Sequence, residues 1–404
     1  MSSTADSAPP PGEVTIHVVA RTDVGRTREH NEDAFAVADL SLNGDLPESE
    51  KEGFNRNAGA RGALFMVADG MGGAAAGEIA SAMATEIVLG EMRSLWITSE
   101  PTDDPADFVR AIKQATKTAN ERINAFAGGH PEYRGMGTTA TVAGFLGDTL
   151  YLAQVGDSRA YLVRNGTAQQ ITKDQSLMQK LIEAGELTEE EAAQSERRNI
   201  ILQALGPEPQ IKIDLTHQVV RRGDTLVLCS DGLSGQITKD DIGAILAEEK
   251  DPEGACNRLI DLANENGGPD NITVIVARFD GPGLQPSNAE DEIAHRVFPL
   301  PEAGQTPTTA LDVVIEDLMT EPYPVPTRPG VGPLRLGEST APHIKLEEPV
   351  LPAPTPVVSP QRRGTGQVIA FALLGLLLIA AAWLVVHYAG GESSGSPSAS
   401  APKR

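Results

Sequence analysis

Acidic residues adjoin apolar segments at several places in the first 280 residues of this chain. The clearest example is FMVADGMGG, in which a run of apolar residues leads to Asp69 and then directly to glycine. One Asp-Gly pair at the end of a strand is usually no more than a turn. Here, however, five separate apolar segments carry such acids, at Glu32 and Asp33, at Asp69, at Asp157, at Asp231 and at Asp270. This repetition favours one shared site.

Carboxylates gathered at one point repel one another and raise one another's pKa values unless cations lie between them. Mg²⁺ and Mn²⁺ prefer such oxygen ligands and retain bound water. Zinc is disfavoured because no cysteine or histidine pair accompanies these acids, and we interpret the one nearby histidine, His30, as a turn residue. The residues therefore predict a two-metal site in which a shared water attacks phosphorus. Arg28, four residues before Glu32, is the candidate phosphate ligand.

Strands are needed to hold these acids in place. The apolar runs that adjoin Asp69, Asp231 and Asp270 have the length and composition of buried strands. TLYLAQV and RAYLVR, joined through residues 156–158, predict a β-hairpin with an acid in its turn. A glycine after an acid, such as Gly70 after Asp69, allows the backbone carbonyl to come close to a bound ion.

The composition excludes one class of partner. The chain has 404 residues and a formal net charge of −23, which argues against nucleic acid because phosphates are bound by Lys and Arg. Hydrophobic residues make up 40% of the chain, enough for a sizeable core in part of it. Cys229 and Cys256 lie in apolar segments without zinc-site spacing, so we expect buried free thiols in a reducing compartment.

Changes in composition divide the chain into five parts. We expect a disordered N-terminus without a secretory signal at 1–13 and one globular domain at 14–281. Residues 282–366 are rich in proline and predict a disordered tether. Residues 368–388 contain no Asp, Glu, Lys or Arg and are long enough to cross a bilayer as a helix, and 389–404 form a short polar tail. The pattern predicts a globular domain tethered to a single transmembrane helix.

Flanking residues indicate the orientation of this predicted span. Arg362 and Arg363 precede it, whereas Lys403 and Arg404 lie well beyond its other end. The positive-inside rule then weakly places the N-terminal bulk in the cytoplasm. We therefore expect a single-pass protein of the cell membrane with a cytoplasmic globular domain.

Six motifs occur in an order that is similar to a known family. They are GRTREHNEDAF, VADGMGGAAAGE, GMGTTATVA, VGDSRAYLVRNG, LCSDGL and DNITVIV. Over roughly residues 14 to 280 the chain resembles the PPM, or PP2C-type, protein serine/threonine phosphatases in their bacterial form. The resemblance implies an α+β fold, a four-layer αββα sandwich of two antiparallel sheets flanked by helices, with metals at one end between the sheets.

The resemblance also implies roles for the metal ligands. Asp69 resembles the carboxylate that bridges two ions. Asp33 resembles a ligand of one ion, and Gly70 supplies its backbone carbonyl to the other. Asp231 and Asp270 resemble ligands of the second ion. Two Mn²⁺ or Mg²⁺ ions are therefore expected.

Other matching residues surround these ligands. Glu32 matches an acid that binds metal-held water, and Arg28 matches the phosphate-binding arginine. Asp157, together with Asp231, resembles the ligands of a third, weaker metal site, and Asn271 adjoins the last metal ligand. Arg28 and the bridging aspartate are the predicted catalytic residues.

Four positions depart from the usual motifs of this family. Met71 and Ala74 stand where relatives carry a histidine, so protonation of the leaving group would fall to metal-bound water. Gly235 stands where an aspartate often completes the third metal site, which makes that site weaker or absent. Gln175 replaces the histidine of the usual Asp-His-Ser sequence. That sequence opens residues 176–206, the flap segment, which we expect to be helical with polar loops and to cover substrate.

The resemblance implies metal-dependent hydrolysis of phosphoserine and phosphothreonine in proteins, reversing serine/threonine kinase signalling at the membrane. Phosphorylated proteins, among them a membrane kinase, are the expected partners of a monomeric catalytic domain. One alternative is a membrane-anchored pseudophosphatase that binds phosphoproteins or a kinase without turnover. Another is the same chemistry on a small phosphorylated metabolite.

Overall fold

The computed structural model describes most of the predicted globular domain. The residues that it describes are 13–42, 50–72, 76–100, 102, 104–195, 197–288 and 291–300. Ala74, most of the predicted tether, the predicted span at 368–388 and the polar tail lie outside these residues. Among the residues that it does describe, no helix combines the length and the apolar character needed to cross a membrane.

Two antiparallel sheets form the centre of the domain, with strands numbered along the chain. The first sheet, from edge to edge, contains β3 (Gly53–Asn57), β1 (Thr15–Asp23), β12 (Ile272–Asp280), β11 (Thr225–Cys229), β8 (Arg159–Arg164) and β9 (Thr167–Gln170). The second contains β10 (Asp214–Val219), β7 (Thr149–Val155), β6 (Ala140–Leu146), β4 (Ala63–Met71) and β2 (Asp33–Asp39), and the short β5 (Gly137–Thr138) pairs with the end of β4.

Most of the helices cover the outer faces of the two sheets. The bounds of the α-helices are α1 (Ala76–Met92), α2 (Pro105–Gly129), α3 (Leu177–Glu183), α4 (Glu189–Ala193), α5 (Asp231–Ser234), α6 (Lys239–Glu248) and α7 (Pro252–Glu265). Helices α1 and α2 cover the outer face of the second sheet, α5, α6 and α7 cover that of the first, and α3 and α4 lie elsewhere. α2 and α7 both begin with Asp-Pro, in which the aspartate side chain accepts a backbone N–H and proline occupies the first helical position. Helices α3 and α4 lie in the flap segment, as its sequence predicts.

Strand residues alternate between two hydrophobic layers. In β4, Phe65 and Val67 lie in the core between the two sheets, whereas Leu64 and Met66 pack towards α1 and α2. A third core lies between the first sheet and α5–α7. Because both faces of β4 are buried, its sequence is continuously apolar rather than alternating. The expected arrangement of two antiparallel sheets flanked by helices is confirmed.

The prediction of a β-hairpin across residues 156–158 is wrong. β7 belongs to the second sheet and β8 to the first, so the chain crosses between the sheets at this point. Gly156 makes the crossing possible, since its φ of 101° is accessible to glycine and its Cα packs against Thr139. The hairpin that does form joins β8 to β9 through Asn165-Gly166, both with positive φ, which is the strongest short hairpin signal in this part of the sequence.

Residues 281–288 and 291–300, here called the C-terminal strap, pack on the domain beyond the predicted boundary at 281. Leu284 is buried in the core between the sheets. The Phe298 N–H donates to the Leu215 carbonyl of edge strand β10 (2.9 Å), and the Phe298 ring packs edge-on against Tyr151. Proline-rich composition concealed these apolar anchors. The described residues beyond 281 therefore belong to the packed domain.

Replacing Leu284 by alanine tests this extension. Because the side chain is buried between the sheets, Leu284→Ala is expected to lower the free energy of unfolding by about 2–5 kcal/mol in chemical denaturation. Val297→Ala in the same strap is the matched control, because this side chain is 67% exposed and its loss is expected to change little. Equal and small effects of both changes would contradict a structural role for the strap.

Candidate active site

Asp33 and Asp69 form the centre of the acidic cluster. They lie directly opposite each other on neighbouring strands β2 and β4. Like charges at opposed positions of an antiparallel pair are destabilising. The backbone around Asp69 is fixed by Thr139, whose hydroxyl accepts from the Asp69 N–H (2.9 Å) and whose N–H donates to the Asp69 carbonyl (2.9 Å). The sheet thus holds two carboxylates where they repel each other.

Three further aspartates come from other elements. Asp231 begins α5 two residues after the end of β11, and Asp270 precedes β12, so both belong to the first sheet's side. Asp157 lies in the crossing between the sheets. These acids and Asp69 line a cleft of about 400 Å³. The structure therefore brings the acids of five separate segments to one end of the sandwich, as the sequence predicts.

Burial and mutual repulsion shift the pKa values of these acids. Burial, reinforced by Asp231 and Asp270, raises the pKa of Asp33 to about 7 despite hydrogen bonds from Thr273 and Ser230. Burial likewise raises the pKa of Asp157 to about 7, with Asp231 and Asp174 adding to the shift and Arg159 opposing it.

Asp69 and Asp231 shift in the same direction. Burial and then the charge of Asp33 raise the pKa of Asp69 well above its usual value. Burial and the neighbouring Asp270 raise the pKa of Asp231. Full ionisation of such a cluster is unfavourable unless cations lie between the carboxylates.

Hard divalent cations fit this set of donors. Every candidate ligand is an oxygen atom, which suits Mg²⁺ or Mn²⁺. In the part of the chain that the structure describes, no three acidic, histidine or cysteine side chains already converge into a formed metal shell. The carboxylates line an open cleft instead. The assignment of each ligand to a particular ion stays a prediction.

Asn271 ties the loop that carries Arg28 and Glu32 to β12. Its side-chain oxygen accepts from the Glu32 N–H (2.9 Å), and its amide nitrogen donates to the carbonyls of Val24 (3.0 Å) and His30 (2.9 Å). His30 lies in a bend of this loop and also lines the cleft. From the sequence, Asn271 was only a neighbour of Asp270, and its role depends on contacts distant in sequence.

Gly70 occupies a position that no side chain can enter. A Cβ atom there would lie 2.2 Å from the Gly77 carbonyl oxygen and 2.5 Å from that of Glu32. The Gly70 N–H donates to this Glu32 carbonyl (3.1 Å). The glycine after Asp69 therefore allows β4 to approach α1 and the Glu32 loop together.

Arg28 stands at the rim of the cleft. Its Nη2 atom donates to Asp270 Oδ2 (2.8 Å), and its side chain is 47% exposed. The guanidinium has further donors that this bond does not use, and these suit a phosphate oxygen. Asn199 and Ile201 of the flap segment also line the cleft, residues that sequence reasoning did not single out.

Positions that depart from the family's motifs are visible here too. Met71 lines the cleft and offers no titratable group. Gly235 follows α5, and its N–H donates to the Asp231 carbonyl (2.7 Å). As a glycine, it contributes no carboxylate to the site.

Ser230 is a residue of the site that sequence reasoning missed. It donates from Oγ to Asp33 Oδ2 (2.8 Å). Its only signal in the sequence is its place between β11 and Asp231.

Comparison with known proteins gives consistent results. A family model described as protein phosphatase 2C matches residues 53–263. Serine/threonine protein phosphatase PstP of Mycobacterium tuberculosis is 37% identical over 265 residues, which cover 65% of this chain and 45% of that protein. Serine/threonine phosphatase stp of Listeria monocytogenes is 33% identical over 265 residues, which cover 66% of this chain and 96% of that protein. The chain thus spans less than half the length of the mycobacterial relative.

Solved structures agree with the sequence matches. The crystal structure of M. tuberculosis PstP is similar at a TM-score of 0.54 and 36% identity, covering 66% of this chain and 99% of that one. A second structure, of the PstP catalytic domain in complex with two manganese ions, is similar at a TM-score of 0.53 and 36% identity.

Replacing Asp69 by asparagine tests the repulsion within the cluster. A folded-state pKa raised above the unfolded value contributes stability that is present at low pH and is lost as pH rises through the folded pKa. Metal-free protein is therefore expected to lose stability between about pH 4 and pH 7 through Asp33 and Asp157. Asp69→Asn removes the central carboxylate, which lowers the pKa values of its neighbours, and is expected to raise the metal-free Tm at pH 7.5 by about 2–4 °C.

The same thermal scans include Mn²⁺. Wild-type protein is expected to gain stability from the ion by mass action, and Asp69→Asn is expected to lose most of this gain. Asp240→Asn, which lies in the first turn of α6, controls for a general effect of removing an acid. A metal-free Tm that falls in Asp69→Asn would contradict the repulsion described here.

Proposed function

Because this chain belongs to the protein phosphatase 2C family, we propose that it is a metal-dependent phosphatase that removes phosphate from phosphoserine and phosphothreonine in proteins. The observation that carries the proposal is the cleft between the two sheets, which four aspartates line beside Arg28, with Asp33 opposite Asp69 on the neighbouring strand. Manganese in the related PstP structure supports Mn²⁺ as one suitable ion, and Mg²⁺ is the other.

Residues from both sheets would hold the ions. Asp33, Asp69, Asp231 and Asp270, with the Gly70 carbonyl, form the proposed ligand set for two ions. When bound, the ions offset the carboxylate charge and lower the pKa of water so that it can attack phosphorus. Asp157 belongs to a third, weaker site, since the residue at 235 has no side chain to complete it.

The chain's own residues orient the substrate. Arg28 binds the phosphate through the donors left over from its bond to Asp270, and that bond fixes the direction of the guanidinium. Asn199 and Ile201 of the flap segment border the cleft and contact the part of the substrate next to the phosphate. Met71 cannot protonate the leaving group, so the proton comes from water in the cleft.

The sequence supports a location for this activity. Residues 368–388 are proposed to anchor the protein as a single-pass span, with the catalytic domain in the cytoplasm. Phosphoproteins at the membrane, including a serine/threonine kinase, are then the proposed substrates.

Phosphate release from a phosphothreonine peptide by the full-length chain tests the activity. Turnover is expected with Mn²⁺ or Mg²⁺ and is expected to stop with chelator, because the aspartate cluster needs cations. Asp231→Asn is expected to abolish turnover, whereas Asp261→Asn, on α7, is the matched control and is expected to retain it. If folded protein binds Mn²⁺ yet releases no phosphate from peptide or aryl phosphate, a phosphoprotein-binding pseudophosphatase replaces this proposal.

Kinetics of Arg28 variants test phosphate binding. Charge-assisted hydrogen bonds contribute about 1.5–3 kcal/mol, so Arg28→Ala is expected to lower kcat/KM for 4-nitrophenyl phosphate about 10- to 100-fold. Arg28→Lys keeps the charge but not the planar fork and is expected to recover only part of this loss. An unchanged kcat/KM in both variants would remove Arg28 from the site.

Reporter fusions at each terminus test the topology. A reporter that is active only in the cytoplasm is expected to work at the N-terminus and to fail at the C-terminus. The reverse pattern would place the catalytic domain outside the cytoplasm, and activity at both ends would argue against a span.

A further inference from the structure

The side-chain amide of Gln175 connects three parts of the domain. Its oxygen accepts from the Gly156 N–H (3.0 Å), and its nitrogen donates to Asp214 Oδ2 (2.9 Å) on β10. The same nitrogen lies within hydrogen-bond distance of the carbonyls of Lys212 (3.2 Å) and Gln154 (3.4 Å). Gln175 is only 8% exposed, so these bonds form away from bulk water.

The surrounding groups fix the orientation of this amide. A backbone N–H needs an acceptor, which only the amide oxygen provides. The carboxylate of Asp214 and the two carbonyls need donors, which only the amide nitrogen provides. Rotating the amide by 180° would place its nitrogen against the Gly156 N–H, and its oxygen against the Asp214 carboxylate and the two carbonyls. The network is therefore specific to a side chain with one acceptor and one donor in this geometry.

The backbone of Gln175 also binds Gly156, which lies in the turn that precedes Asp157. The Gln175 N–H donates to the Gly156 carbonyl (2.9 Å), so both polar backbone groups of Gly156 are bound by one residue. Gly156 has a φ of 101°, and a Cβ there would lie 2.6 Å from the Thr139 side chain. Gly156 directly precedes Asp157, so the conformation of this glycine sets the direction of the Asp157 side chain.

Gln175 also lies at the root of the flap segment. The next residue, Ser176, caps α3 by accepting from the Gln179 N–H (3.2 Å). The Gln175 carbonyl accepts from the Leu202 N–H (2.7 Å), next to the cleft-lining Ile201. One buried residue thus joins the Asp157 turn to both ends of the flap segment.

We propose that Gln175 is a positioning residue, whose amide holds the Gly156–Asp157 turn against β10 and the flap root so that the Asp157 carboxylate faces the cleft. This inference rests on the proposed phosphatase function. It also accounts for the departure from Asp-His-Ser at this position. A neutral histidine has one acceptor and one donor nitrogen, so it satisfies the Gly156 N–H and the Asp214 carboxylate in the same way.

Two substitutions in the full-length chain separate positioning from folding. Gln175→Met keeps the length of the side chain but removes the amide, and Gln175→His keeps one acceptor and one donor. Gln175→Met is expected to lower kcat for 4-nitrophenyl phosphate about 10- to 100-fold and to raise the Mn²⁺ concentration at half-maximal rate. KM is expected to change little because Arg28 is untouched. Gln175→His is expected to restore most of the loss.

The Mn²⁺-induced rise in Tm provides a readout that does not require turnover. It is expected to be smaller in Gln175→Met than in wild type and to recover in Gln175→His. In an Asp157→Asn background, Gln175→Met is expected to cause no further loss of kcat, because both changes disable the same carboxylate.

Other outcomes overturn the inference. A lower Tm of Gln175→Met with unchanged kcat and unchanged Mn²⁺ dependence would show that Gln175 has only a structural role. If the losses of kcat in Gln175→Met and Asp157→Asn multiply in the double variant, Gln175 does not act through Asp157. If Gln175→Met does not fold, Gln175→Glu keeps the acceptor for Gly156 but repels Asp214, and wild-type Mn²⁺ behaviour in that variant would overturn the inference.

Failure of the proposed function is a separate result. If wild-type protein shows no turnover on peptide or aryl phosphate, the phosphatase proposal fails. The Mn²⁺-induced change in Tm then decides by itself whether Gln175 positions Asp157.

Discussion

Repulsion between aspartates at one end of two facing sheets constrains this domain more than any other interaction. Asp33 and Asp69 oppose each other across β2 and β4, and Asp231 and Asp157 raise the pKa of Asp69 further. Such a cluster lowers the stability of the metal-free fold. Three hydrophobic layers offset this cost, since strands such as β4 are buried on both faces. The apolar sandwich is what allows the charges to stay close together.

The position of the cluster follows from the topology. A single sheet would bring its strand ends together along one edge, whereas two packed sheets approach the cleft from opposite sides. Asp69 comes from the second sheet, Asp231 and Asp270 from the first, and Asp157 from the crossing between them. That crossing is therefore a functional element, and a hairpin at the same place would have left Asp157 within one sheet.

Sequence reasoning succeeded where the signal is local. Apolar runs predicted the strands next to the acids, and the sequence of residues 176–206 predicted a helical flap segment. The two-sheet architecture was expected only from the family resemblance. It failed at residues 156–158, because strands buried on both faces carry no information about which sheet they join. It also missed Ser230 and the amide network of Gln175, whose partners at Gly156 and Asp214 are distant in sequence. The packing of Phe298 on β10 was missed because the proline-rich composition of this region predicts a disordered tether.

Neutral amides hold the loops that carry Glu32 and Asp157 in place, and this has a physical reason. Asn271 and Gln175 fix the loops that carry Glu32 and Asp157 without adding a charge of their own. Two arginines lie nearby: Arg28 donates one hydrogen bond to Asp270, and Arg159 forms a bidentate pair with Asp174. A lysine in place of either amide would neutralise the carboxylates internally and compete with a divalent ion for them. Positioning by amides keeps the net negative charge of the cleft available to the metal.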